Sequence, residues 1–95
     1  MPAYLIADVE VHDQNVYAEY RRQVLSLIEQ HGGRFIVRGG AFEVLEGEWK
    51  PQRLVIIELP DMATHKGWYR SPEYAKLIEL RQGASRGSIV AVEGA

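Results

Sequence analysis

The stretch WYRSPEY at residues 68–74 decides how this chain folds, because it ends one helix and starts another. Ser71 is a favoured N-cap residue, Pro72 suits the first helical position, and Glu73 complements the positive end of a helix. The residues that follow at helical spacing are Tyr74, Leu77, Ile78 and Arg81. Asp61 is the expected N-cap of the preceding helix, which should end near Tyr69. We therefore predict two consecutive helices, the second of which begins at residue 72.

Four strands and one more helix are predicted around this pair. Residues 3–11 alternate between apolar and mixed positions, which is typical of a strand with one buried face. Asp13 is the expected N-cap of a helix that runs to about His31, and Gly32 is expected to end it. A second strand is predicted from Arg34 to Val37, interrupted by two glycines and resumed over residues 42–45. Two further strands are expected at residues 52–59 and 89–92, the last one after a loop between Gly83 and Gly87.

The resulting order, β-α-β-β-α-β, predicts an α+β, ferredoxin-like fold. It consists of a four-stranded antiparallel sheet with two helices on one face. In this fold the first and third strands are central, and residues 54–57 are apolar on both faces, as a central strand requires. We find no linker or internal repeat, so residues 1–95 are expected to form a single domain.

Composition excludes several classes of function. The chain has 95 residues, no cysteine and a net charge of −2 with acids and bases interspersed. Disulfides and thiolate metal sites are therefore excluded, and the absence of a concentrated basic face argues against a nucleic-acid partner. No long apolar run or basic leader is present, so we expect no membrane association and a cytoplasmic location.

A homodimer is expected because helices would cover only one face of the sheet. The other face would carry Tyr4, Ile6 and apolar members of the third and fourth strands. An exposed apolar sheet face usually marks an interface, and a twofold dimer is the simplest way to cover it.

The chain resembles the domain-of-unknown-function 1330 family, within the dimeric α/β-barrel superfamily of ferredoxin-like domains. The segments that carry the resemblance are Gly32-Gly33-Arg34, Val37-Arg38-Gly39-Gly40, LEGEWKP at 45–51, WYRSPEY at 68–74, Arg81 and Val92-Glu93-Gly94. The resemblance implies the fold and a homodimer. It implies no catalytic residue, because the family has no established activity, whereas the wider superfamily includes cofactor-free monooxygenases, lactone isomerases and haem-binding enzymes.

Three polar side chains on the first strand are candidates for acid–base chemistry. Asp8, Glu10 and His12 share one face at two-residue spacing. They could assist proton transfer or form a weak metal site, but a solvated polar face is the favoured interpretation. The other histidines lack metal-ligand spacing, so no metal site is predicted.

Arg38 is the candidate for binding a ligand carboxylate. Arg38 and Arg34 are an even number of residues apart, so regular alternation places them on one face of the second strand. By the same rule, Glu58 shares a face of the third strand with Leu54 and Ile56. Arg38 could therefore face Glu58 or Asp8 across the sheet. A structural ion pair is favoured over a bidentate clamp by Arg38 on a ligand anion. Glu58 is also a weak catalytic candidate.

Trp49, Trp68 and Tyr69 are the aromatic candidates for lining a ligand pocket. Aromatic residues also anchor cores and interfaces, and packing is the favoured role for Trp68. The Tyr69 hydroxyl could point into a cleft, so it is both a ligand-binding and a weak catalytic candidate. Tyr20 lies in the helical stripe, so a core position is expected for it. Arg81 is expected to pair with a carboxylate such as Glu73 or Glu93.

The segment GASRG at 83–87 matches the G-x-S-x-G nucleophile elbow only by letter. The elbow requires a strand before the serine and a helix after it, which is the reverse of the order here. No phosphate loop, dinucleotide fingerprint or metalloprotease motif is present, so no cofactor is predicted.

The sequence thus predicts a small cytoplasmic homodimer that binds an anionic or aromatic small molecule in a cleft between sheet and helices. Two alternatives stay open. One is a cofactor-independent monooxygenase or isomerase of small aromatic or lactone substrates, with turnover that depends on one or two of Asp8, His12, Arg38, Glu58 and Tyr69. The other is a structural or regulatory protein-interaction module.

Overall fold

A computed structural model describes all 95 residues as a ferredoxin-like α+β domain. Its elements are β1 (Ala3–Val11), α1 (Gln14–Gln30), β2 (Arg34–Arg38), β3 (Leu54–Leu59), α2 (Met62–Tyr69), α3 (Pro72–Ala84) and β4 (Ser85–Glu93). The four strands form one antiparallel sheet in the order β2-β3-β1-β4. The first and third strands are central, as predicted. None of the three helices combines the length and the apolar character that spanning a lipid bilayer requires.

All three predicted helix caps are confirmed. The side chains of Asp13, Asp61 and Ser71 each accept a hydrogen bond from the backbone amide three residues later. These bonds satisfy donors that have no partner inside the helix, and they set where α1, α2 and α3 begin. The helical region after β3 thus consists of two helices, α2 and α3, which are separated at Arg70 and Ser71, as predicted.

The core lies between one face of the sheet and the helices. Leu5, Ala7 and Val9 of β1 are buried, and the residues that alternate with them are not. The same alternation in β3 buries Val55, Ile57 and Leu59. The helical residues that pack on these strands are Tyr17, Tyr20, Val24, Leu27, Ile28, Trp68, Tyr74 and Leu77. The opposite side, here named the open face, carries Tyr4, Ile6, Asp8, Leu54, Ile56, Glu58, Ser88, Val90 and Val92.

The predicted strand at residues 42–45 is wrong. The amide of Gly39 donates the last β2–β3 bond to the carbonyl of Leu54, and Gly39 then turns the chain away at a φ of 72°. β3 begins only at Leu54, so residues 40–50 find no strand to pair with and are exposed. The third strand is correspondingly shorter than predicted.

The predicted loop between Gly83 and Gly87 is also wrong. The helix α3 continues to Ala84 and passes directly into β4. The carbonyl of Ala84 accepts hydrogen bonds from the amides of His12 and Asp13, which ties the junction to the end of β1. Gly87 lies within the strand. A glycine is needed at this position because a Cβ there would collide with the carbonyl oxygen of Asp8.

An irregularity in β2 changes which side chains face the helices. Arg34 lies opposite Glu58 and Phe35 opposite Ile57, but Val37 then lies opposite Ile56, so the register shifts between Phe35 and Val37. A bulge of this kind inverts the inward and outward alternation of a strand. Arg34 is therefore on the open face, and Arg38, opposite the inward-facing Val55, is on the helix side.

Candidate functional site

A cavity lies between the inner face of the sheet and the helices α1 and α3. Eleven of its fifteen lining residues are hydrophobic, and strands β1 and β3 supply Leu5, Ala7, Val9, Val55 and Ile57. The enclosed space is about 30 Å³, which is enough for about one or two water molecules. Any larger molecule would require lining side chains to move.

The four remaining lining residues are all arginines: Arg21, Arg38, Arg53 and Arg81. The chain has eight arginines, and three of the others form salt bridges, Arg22 with Glu19, Arg34 with Glu58 and Arg86 with Glu10. None of the four cavity arginines has such a partner, and no carboxylate lines the cavity. Four positive charges therefore converge on an apolar space without a compensating negative charge.

Three tyrosines connect these arginines to the core. The rings of Tyr17 and Tyr20 stack at a centroid distance of 5.3 Å. The guanidinium carbons of Arg21 and Arg53 lie 5.6 and 5.9 Å from the centroid of Tyr17. Each of these is a cation–π contact, which places a guanidinium group beside the Tyr17 ring.

The hydroxyls of Tyr20 and Tyr74 hydrogen-bond each other at 2.9 Å inside the protein. Burial raises the pKa of both phenols, and the charge of the nearby Arg81 opposes that rise. Both phenols are therefore neutral at physiological pH. The Nε of Arg81 is buried and has no hydrogen-bond partner. The expected pairing of Arg81 with Glu73 or Glu93 is thus wrong, because the side chain turns to the tyrosines.

Arg38 is the one predicted ligand-binding residue that lines this cavity. It is exposed at the cavity mouth, with its guanidinium carbon 4.6 Å from the ring centroid of Phe35. The proposed proximity of Arg38 to Glu58 is wrong, because the β2 irregularity places them on opposite sides of the sheet. Arg34 takes that position, with its Nε 3.3 Å from Glu58 Oε1.

Asp8 and Trp49 form a contact on the open face rather than in the cavity. Trp49 Nε1 donates to Asp8 Oδ2 at 2.9 Å, and the Gln52 amide donates to Asp8 Oδ1 at 2.8 Å. The Trp49 bond is the main reason that the pKa of Asp8 lies below its ordinary value. Asp8 therefore stays ionised and holds the end of the segment 39–53, which is a structural task.

The other acid–base candidates are dispersed. Glu10 is bound to Arg86 at 3.1 Å on the open face, and His12 is exposed beyond the end of β1. Glu58 is paired with Arg34. No group of three or more histidine, aspartate or glutamate side chains is arranged to hold a metal ion. The structure does not bring Asp8, His12, Glu58 and Tyr69 together.

The aromatic candidates near WYRSPEY belong to the core and to a separate groove. Trp68 is fully buried, with its ring centroid 4.4 Å from that of Tyr74, and it is not among the residues that line the cavity. Tyr69 is half-buried and lines a groove between α2 and β4 with His65 and Ile89. Burial lowers the pKa of His65, whose Nε2 has no partner.

Ser85, the serine of the G-x-S-x-G match, is buried at the end of α3. Its hydroxyl donates to the carbonyl of Arg81 at 2.7 Å. The serine therefore follows a helix and starts a strand, which confirms the predicted order of helix and strand around the match.

Most of the residues around the cavity were not predicted from the sequence as site residues. Arg53 has the parity of Val55 and Ile57, so its inward position could have been predicted. Arg21 lies four residues after the buried Tyr17, and Arg81 lies seven after Tyr74, which places both beside inward helical positions. Their convergence depends on strand order and helix packing, which the residue pattern alone does not define.

The fold and the cavity define the class of this protein as a ferredoxin-like domain with a one-sided helical layer. The chain belongs to the domain of unknown function family DUF1330, whose model matches residues 2–95. No curated protein matches the sequence.

Solved structures share the fold. A protein of unknown function from Rhodopseudomonas palustris, RPA0582, is 20% identical, with a TM-score of 0.80 over 99% of this chain and 82% of that one. A dimeric ferredoxin-like protein of unknown function from Jannaschia sp. CCS1 is 12% identical, with a TM-score of 0.72 over 99% and 100%. SnoaB, a cofactor-independent oxygenase from Streptomyces nogalater, is 11% identical, with a TM-score of 0.60 over 99% and 93%.

Proposed function

We propose that this protein binds a small anionic molecule with an apolar or aromatic body in the cavity between sheet and helices. The observation that carries the proposal is the convergence of Arg21, Arg38, Arg53 and Arg81, all without a carboxylate partner, on one apolar cavity. Uncompensated charges at an apolar site are costly, and an anionic ligand would neutralise them. The aliphatic floor and the tyrosine rings would contact the ligand body.

Binding can be tested with benzoate as the probe and benzyl alcohol as its neutral counterpart, by calorimetry at low salt. We expect benzoate to bind at least ten times more tightly, because a hydrogen bond to a charged group contributes about 1.5–3 kcal/mol. Arg53→Gln should weaken benzoate binding about tenfold or more. Arg70→Gln is the matched control, since Arg70 is an exposed arginine in the other groove.

Amide chemical shifts would locate the bound benzoate. Shifts confined to residues of β1, β3 and α1 that line the cavity would support the proposal. Equal binding of benzoate and benzyl alcohol, or equal losses in the Arg53 and Arg70 variants, would refute it. Absence of any binding would favour the alternative of a protein-interaction module.

We further propose that two chains associate through their open faces. Val90 and Val92 are exposed there, and Ile6 and Ile56 lie beside them, half-buried. An apolar sheet face of this extent is typical of an interface, and the Jannaschia protein of the same fold is described as dimeric. The cytoplasmic location stays a prediction from the sequence.

The alternative of a cofactor-independent oxygenase or isomerase gains no support from the residues first selected for it. Asp8 and Glu58 lie on the open face in contacts of their own, and Tyr69 lies in the groove beside α2. Likeness to SnoaB at 11% identity concerns the fold alone.

A further inference from the structure

The buried end of the cavity differs from its exposed mouth. Arg38 at the mouth is exposed, whereas Tyr20 and Tyr74 are buried and the Arg81 Nε is inaccessible to solvent. Water that competes for hydrogen bonds at the mouth is thus largely absent at this end. A single ligand atom there would interact with the tyrosines and Arg81 in a medium of low polarity, where such contacts are strong.

The hydrogen-bond arrangement leaves two donors free at this point. One phenol uses its proton in the bond between Tyr20 and Tyr74, so the other phenol keeps a proton that bonds to neither of them. Arg81 adds its Nε–H, which has no partner. Buried donors without partners are rare in folded proteins, so these two donors are available to an acceptor, a water molecule or a ligand oxygen, that occupies the cavity beside them.

We propose that Tyr20, Tyr74 and Arg81 form an oxyanion subsite that binds the ionised oxygen of an enol or a phenol. This inference rests on the proposed function, because it concerns one end of the same cavity. When the enol or phenol ionises, its O–H bond breaks, the electron pair stays on oxygen and the proton passes to bulk solvent. The positive charge of Arg81 and the free phenol proton then stabilise the ligand oxygen.

4-Nitrophenol is the appropriate probe, because its ionised form absorbs visible light and its neutral form does not. At a pH where the free probe is half ionised, addition of protein in excess should increase the visible absorbance. We expect the site to favour the ionised form by at least about tenfold, from the contribution of hydrogen bonds to a charged oxygen. The probe's apparent pKa on the protein should fall by about one unit or more.

Three variants and one control identify the residues responsible. Tyr20→Phe, Tyr74→Phe and Arg81→Gln should each reduce the absorbance change to less than a third. Tyr4→Phe is the control, because Tyr4 lies on the open face, on the other side of the sheet from the cavity. Arg81 is only partly buried, so its variant remains informative even if a phenylalanine variant fails to fold.

The outcomes separate the two proposals. Binding of benzoate, together with 4-nitrophenol that stays out of the cavity or binds there without the absorbance change, would overturn the subsite and leave the proposed function standing. An absorbance change that survives all three substitutions would also overturn it, because the oxygen would then lie against the outer arginines. If neither benzoate nor 4-nitrophenol binds, the proposed function fails and the subsite with it.

Discussion

Lysine at position 90 should separate the proposed dimer and leave each protomer folded. Val90 lies on the open face of the edge strand β4 and is 56% exposed in the single chain. Complete burial of a valine side chain contributes about 1.5 kcal/mol, so its exposed part contributes about 0.8 kcal/mol per protomer when covered. The substitution occurs twice in a symmetric dimer, which doubles the loss to about 1.6 kcal/mol.

The buried charge adds more than the lost apolar contact. An ammonium group without a partner in an interface costs several kcal/mol. The total therefore exceeds about 4 kcal/mol, which corresponds to an increase in the dissociation constant of at least about a thousandfold. In the protomer, a substitution at an exposed position should change the free energy of unfolding by no more than about 0.5 kcal/mol.

Sedimentation velocity over a range of concentrations measures the association, and circular dichroism verifies the fold. Gln82→Lys is the matched control, because it adds the same charge at an exposed position of α3. We expect the control to remain dimeric at concentrations where Val90→Lys is a monomer. A Val90→Lys protein that dimerises as tightly as the wild type would show that the open face is not the interface. A wild-type monomer at micromolar concentration would refute the dimer itself.

Two other predictions concern the glycine at position 87 and the carboxylate of Asp8. Gly87→Ala should lower the free energy of unfolding by about 1–3 kcal/mol, since its Cβ meets the backbone of Asp8, whereas Gly83→Ala meets nothing and should be neutral or stabilising in urea unfolding. Asp8 has a lowered pKa, so its contacts with Trp49 and Gln52 should be complete above the ordinary value of 3.8 and lost as pH falls through the lowered one. Trp49 fluorescence should follow this acid transition and should not do so in Asp8→Ala; an identical titration in both proteins would show that Asp8 does not hold the tryptophan.

The sequence was sufficient wherever a local pattern determines the structure. Alternation in residues 3–11 identified the inward face of β1, and the residues Asp13, Asp61 and Ser71 identified three helix starts. In each case the physical cause acts within a few residues along the chain.

The sequence was insufficient where distant segments decide the outcome. The face predicted for Arg38 from regular alternation in β2 was wrong, because the irregularity between Phe35 and Val37 depends on how β2 pairs with β3. The cavity arginines come from four different parts of the chain, so only their assembled positions show that they share one space. The site candidates on β1 were drawn from the correct strand but from the face opposite the cavity.

The segment 49–53 contacts the open face through Asp8 and also contributes a side chain to the cavity. Gln52 donates its amide to Asp8 on the open face, and the next residue, Arg53, accepts a hydrogen bond from the Val9 amide at 3.0 Å through its carbonyl. The Arg53 side chain then lies in the cavity over Tyr17. Because these two residues are consecutive, the Asp8 contact fixes the point at which Arg53 enters the cavity wall. Trp49 is bound to the same carboxylate and is largely exposed. If two chains associate through the open face as proposed and cover Trp49, the segment that carries Arg53 would be restricted as well, and the proposed interface and the proposed ligand site would be linked through one short stretch of backbone.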